Sequence, residues 1–99
     1  MTLSETYIYR KKPDIVTRGI AGETLLVPIK GELADLQKVF VLQGVGEFIW
    51  GKIDGAGDSY SIVHDILEVF DVDLETALQD LQIFIEELSR AGLVEEVNP

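Results

Sequence analysis

The sequence contains no cysteine, three prolines, a single histidine and no apolar run near the roughly 20 residues needed to cross a bilayer. Without thiols, a disulfide framework and a thiolate metal site are both excluded, and a cytoplasmic protein is the simpler expectation. The opening stretch MTLSETYIYRKKP lacks the apolar segment of a secretory signal, so a soluble chain with no membrane partner is expected. Cations are scarce as well. Arg10, Lys11 and Lys12 form the one basic cluster, and beyond Lys52 the sole cation is Arg90, within a net charge of −10. Nucleic-acid binding draws much of its affinity from Lys and Arg on phosphates, so an acidic C-terminal half argues against that class of partner. An acidic solvated surface that aids solubility accounts for the charge equally well.

What remains is a chain of 99 residues, the length of one domain with a modest core. Its periodicity changes part-way. Residues 14–42 hold three β-like runs, DIVTRGI, TLLVPI and KVFVL, separated by Ala21-Gly22-Glu23 and by the polar stretch Lys30 to Gln37. They predict a three-stranded antiparallel meander, with the second strand interrupted or ending at Pro28, which has no N–H for the ladder. Residues 44–91 have helical spacing instead. Val45, Phe48, Ile49 and Ile53, widened by Trp50, mark a first helix; Ile62, Val63, Ile66, Leu67 and Phe70 mark a second, capped by Asp58 or Ser59. Asp73 opens a third, whose Leu74, Ala77, Leu78, Leu81, Phe84, Ile85 and Leu88 share an arc of roughly 120°. Gly92 stands where a glycine stop belongs, and LVEEV follows as a short strand or extended tail. The class is α+β, a meander followed by a three-helix bundle.

Residues 44–55, GVGEFIWGKIDG, follow the apolar run VFVL, and a strand entering Gly-x-Gly before a helix is how a dinucleotide loop begins. The third glycine of that fingerprint is replaced by Ile49, and Glu47 would occupy the helix start where a phosphate ought to sit. The helix also leads into another helix rather than into a parallel strand. Gly44 and Gly46 are therefore expected to form a tight corner that lets the helix lie close to the sheet. Catalytic constellations are equally thin. His64 lies mid-helix beside Asp65 and Glu68, so His64 and Glu68 share a helix face as an exposed acidic neighbourhood rather than a metal site. Asp71 and Asp73 read as a terminator and a cap rather than an acid–base pair, and DVDLETALQDL has Thr76 where a calcium loop needs glycine. Neither an enzyme nor a cofactor or metal site is indicated.

The order of elements, with VFVL (39–42), Gly46, FIWGKIDG (48–55), SIVHDILEVFDVD (61–73) and DLQIFIEELSRAGLV (80–94), resembles the PqqD family, small chaperone-like proteins of pyrroloquinoline quinone biosynthesis and recognition elements for ribosomally made, modified peptides. The likeness covers roughly residues 13–97 and leaves 1–12 as an N-terminal tail. It implies a winged-helix-like fold without catalytic activity. It also implies that the leader of a precursor peptide docks as an added strand beside the third β-strand, against the third helix, and is presented to a radical SAM maturase. On this chain that site comprises Lys38, Val39, Phe40, Val41 and Leu42 with Gln79, Gln82, Ile83, Glu86 and Arg90.

Strand alternation puts Phe40 and Leu42 on one side and Val39 and Val41 on the other, so one apolar face is core and the other needs a cover. Ile83 stands opposite the Leu/Phe stripe among Gln79, Glu86 and Arg90, and Arg90 has either an acidic leader residue or Glu86 within reach. Gln43, a poor helix cap, replaces the Asn of many relatives. Two other readings share the topology: a homodimeric interaction module with Val39 and Val41 at its interface, and a winged-helix DNA-binding regulator, which the scarcity of cations opposes.

Overall fold

The computed structural model describes residues 7–55 and 57–97, so residues 1–6 of the expected tail lie outside the described part. Elements follow in the order β1 (Tyr9–Lys11), β2 (Ile15–Ile20), β3 (Glu23–Pro28), α1 (Gly31–Asp35), β4 (Phe40–Leu42), α2 (Gly44–Lys52), α3 (Ser59–Val69), α4 (Leu74–Arg90) and β5 (Val94–Glu96). The meander expected from residues 14–42 is present as an antiparallel sheet of order β2-β3-β4. β3 ends at Pro28, as its missing donor requires. The polar connection that follows contains the short helix α1, which the sequence pattern did not reveal. Its Leu33 packs against the core, and its carbonyl accepts the Lys38 N–H at 3.2 Å.

The core lies between this sheet and the three helices. Leu26, Ile49, Trp50, Ile53, Ile66 and Leu93 are fully enclosed, joined by Leu42, Ile62, Val63, Ala77, Leu81, Leu88 and Val94. Each of the Leu, Ile and Val side chains among them contributes roughly 1.5–3 kcal/mol relative to exposure. Trp50 occupies the expected junction, and its indole N–H donates to Thr17 Oγ1 at 3.1 Å, so the ring is buried without orphaning its polar atom. Lys11 lies 5.0 Å above the same ring. Leu74 departs from the expected stripe: as the first residue of α4 it projects past the packed layer and is exposed.

Helix ends obey local chemistry. Asp58 caps α3 by accepting the Ser61 N–H at 2.9 Å, and Asp73 caps α4 by accepting that of Thr76 at 2.7 Å, which holds the Asp73 carboxyl below its ordinary pKa. At the far end of α4, Gly92 adopts φ +76°, the Gly92 N–H donates to Ser89 O and the Leu93 N–H to Leu88 O. These two bonds make a Schellman stop, with Leu88 and Leu93 buried together beneath it.

Residues 9–11, within the stretch read as tail, form β1, which pairs antiparallel with β5 in a separate two-stranded sheet. The Gly55 and Ser59 amides donate to the Tyr9 and Tyr7 carbonyls on the other side. Glu95 accepts from Arg10 Nε at 2.6 Å and lies 3.3 Å from Lys12 Nζ. Those hydrogen bonds hold its carboxyl below the usual range.

Gly92→Ala forces a Cβ into the left-handed region at a cost of about 1 kcal/mol, expected to lower Tm by roughly 4–8 °C in thermal denaturation. The lowered folded-state pKa of Glu95 means that its contribution is in force above the ordinary carboxylate pKa and is lost as the pH falls through the lowered value. The Lys12 and Val97 amides, which bond Leu93 O and Ile8 O across this ribbon, should therefore lose hydrogen-exchange protection in acid before the helices do, and Glu95→Gln should weaken that protection at neutral pH.

Candidate functional site

β4 is the last strand of its sheet, and the chain's terminal strands pair with each other elsewhere, so the outer margin of β4 is not covered by β1 or β5. Which of its backbone groups face outward follows from ladder alternation. The Ile29 N–H donates to Asp14 O, which makes Asp14 and Ile29 a hydrogen-bonded pair one step beyond Ile15 and Pro28. Residues 27, 25 and 23 of the middle strand then direct their backbone groups to β2, and residues 26 and 24 to β4. Leu26 with Phe40 and Thr24 with Leu42 become hydrogen-bonded pairs, while Leu25 and Val41 form the non-bonded pair between them. Val41 therefore turns its N–H and C=O to the open side.

The side chains alternate in step. Leu42 is buried and Phe40 partly so, facing the core, whereas Val39 and Val41 are each 53% exposed, on the other face. Pairing starts only at Phe40 because Pro28, opposite position 38, has no donor for β4; the Lys38 N–H goes to α1 instead. β4 is thus shorter than the expected run of residues 38–42.

Immediately after β4, Gly44 turns the chain at φ +57° into α2. The neighbouring Gly46 has a different use from the expected approach of helix to sheet. A Cβ there would lie 3.1 Å from Phe84 Cε1, so the missing side chain admits the Phe84 ring of α4. Gln43 makes no cap; its amide reaches Glu23. Glu47 accepts from Thr24 Oγ1 at 2.8 Å and ties α2 to β3. Between α2 and α4 an open trough of about 220 Å³ is lined by Val45, Gly46, Ile49, Asp80, Ile83, Phe84 and Glu87.

The ten residues singled out from sequence are distributed over this region unequally. Val41 turns its backbone to the open margin with Val39 before it, Phe40 and Leu42 direct theirs to β3, and Lys38 is exposed just before the strand. Ile83, 56% exposed, enters the trough. Gln82 and Glu86 lie on the opposite flank of α4, where they border a smaller cavity with Tyr7, Tyr9, Ser59, Ile62, Leu81 and Ile85. Burial there, and then Glu96, raises the Tyr9 hydroxyl pKa. Gln79 is exposed. Arg90 borders a third cleft with Lys12, Ile15 and Leu36, and the ion pair with Glu86 is not formed among the described residues. Asp80, Phe84 and Glu87 line the trough without having been selected; the signal available was their spacing around Ile83 at three, one and four residues.

His64 Nδ1 lies 3.5 Å from Glu68 Oε1 with both side chains largely exposed, and His64, Asp65 and Glu68 form an open surface group. No helix among the described residues is long and apolar enough to cross a membrane.

The profile of the family described as Coenzyme PQQ synthesis protein D (PqqD) matches residues 23–94. The chain belongs to the PqqD family. No curated protein sequence matches it. Among solved structures it is similar to "TbiB1 in Complex with the TbiA(beta) Leader Peptide", with 24% identity over 91% of this chain and 99% of that one and a TM-score of 0.75. It is also similar to "Lasso peptide synthetase B1 complexed with the leader peptide", with 13% identity over 88% and 96% and the same TM-score. At these identities the likeness establishes a shared fold.

The stretches that carry the PqqD likeness have structural tasks here. Ile49, Trp50 and Ile53 are core; Asp54 accepts the Gly57 N–H at 2.8 Å; Gly55, at φ +82°, holds β1; and the final AGLV makes the Schellman stop. The backbone alternation of β4 is directly measurable. Native-state hydrogen exchange should find the Phe40 and Leu42 amides protected and that of Val41 open; a protected Val41 would reverse the assignment of the outward groups.

Proposed function

We propose that this PqqD-family protein is a non-enzymatic peptide chaperone of the cytoplasm, which binds the leader of a ribosomally made precursor peptide and presents it to a maturation enzyme. The observations that carry this reading are the open margin of β4 and, lined by the helix that follows it in the chain, the trough between α2 and α4. A strand that pairs there gains main-chain hydrogen bonds from Val41, and its alternate side chains are available to apolar surface such as the trough. Both structural neighbours are proteins complexed with leader peptides, which supports the same use of the fold. Among the described residues the lone histidine pairs with Glu68 on an exposed helix face, away from the trough, and supplies no base to a nucleophile.

The PqqD likeness makes a radical SAM maturase the receiving enzyme in this proposal; the neighbour named as a lasso peptide synthetase component brings a second enzyme class into the test. Co-purification of the protein with each candidate enzyme, in the presence and absence of a leader, separates the two. A homodimer built on Val39 and Val41 is the competing use of the same margin, favoured by the exposure of both valines. Sedimentation over a concentration series distinguishes it.

Titration with a cognate leader peptide is expected to shift the amide resonances of residues 38–42 and 79–90 first. Val41→Pro removes an outward donor, and the edge position tolerates proline, so the variant should stay folded while affinity falls about tenfold or more. Shifts confined to residues 59–71, or unchanged affinity in the variant, would place the peptide elsewhere.

A further inference from the structure

The trough has an apolar floor but acidic walls. Asp80 and Glu87 stand two turns apart on α4, about 10 Å along the axis, with Ile83 and Phe84 between them and Val45, Gly46 and Ile49 opposite. Neither carboxylate has an ion-pair or side-chain hydrogen-bond partner among the described residues. The nearest cation in sequence, Arg90, borders a different cleft. Of the other cations, Arg10 and Lys12 pair with Glu95, Lys52 with Asp65 and Lys11 lies over the Trp50 ring, and neither these nor Arg18, Lys30 and Lys38 line the trough. The lining of the trough thus carries two carboxylates and no cation, in a chain whose net charge is already −10.

We infer that the segment bound in the trough is an apolar–basic one, with a bulky apolar side chain on Ile83 and Phe84 and a Lys or Arg two residues before or after it, paired with Asp80 or Glu87. This rests on the leader-binding reading and adds the chemical class of leader that the site accepts. The spacing follows from strand geometry. Residues i and i+2 of an extended peptide point to one side about 6.6 Å apart, and i and i+4 about 13 Å apart, so cations flanking a central anchor bracket a pair of carboxylates about 10 Å apart. The flexible stems of Lys and Arg take up the difference and lie on the apolar floor. Acidic segments are rejected by the same walls, and discrimination between peptides arises from that repulsion as much as from the attraction. The attraction is partly exposed and should weaken with salt.

The test is selection of phage-displayed random dodecapeptides on the immobilised protein, with Val41→Pro as the parallel control. Enrichment of peptides with a bulky apolar residue and Lys or Arg two positions away is expected. A selected peptide, synthesised, should bind the doubly neutralised variant Asp80→Asn, Glu87→Gln about tenfold more weakly, from two partly exposed ion pairs. The amide spectrum of that isosteric variant checks that the fold is intact. Enrichment of apolar peptides without basic neighbours, or equal affinity for the neutralised variant, would overturn the inference and leave leader binding standing. No enrichment over the Val41→Pro control would overturn both.

Discussion

The pairing of β1 with β5 is the constraint on which the rest depends. By tying the two ends of the described chain to each other, and to Gly55 and Ser59, it spends their backbone groups away from the main sheet and leaves β4 uncovered. The Schellman stop at Gly92 sets the direction in which β5 leaves α4, and the Arg10–Glu95 pair reinforces the register. An open strand edge is normally a hazard for aggregation. Here the hazard is limited by length, since β4 is three residues long, pinned at one end by the Pro28 gap and at the other by the Gly44 turn.

Much of the fold was legible because it is written in local chemistry. Apolar spacing identified the three long helices, acidic caps marked two of their starts, and Gly92 marked the last stop. β1 was not legible: Tyr-Arg-Lys has no alternation of its own, and its partner lies 85 residues away. α1 was hidden in a polar connection because five residues carry too little periodicity to register.

The surface around β4 and α4 was half legible for a related reason. Alternation in VFVL identified the two faces of β4, and Ile83 stood out against its polar neighbours. A helical wheel shows which side of α4 is core, but not which of the two flanking sides faces α2. That choice is made by tertiary packing, in which Phe84 closes over Gly46 on one flank and Ile85 meets the tyrosines on the other. Gln82 and Glu86 accordingly line the second cavity, and Asp80 and Glu87 line the trough. The motifs most characteristic of the family, around Trp50 and Gly55, hold the scaffold, while the residues of the trough are ordinary apolar and acidic types. Family membership is for this reason easier to read from the sequence than peptide preference.

With Tyr9 opposite Glu96, the polypeptide enters and leaves this domain at neighbouring points on the narrow ribbon. Neither Tyr9 nor Glu96 lines the trough between α2 and α4, so a covalent tether attached at either point, to an enzyme or to a second binding module, starts outside it. Such a linkage would raise the local concentration of a held peptide at the neighbouring catalytic centre with no change in the domain's own surface.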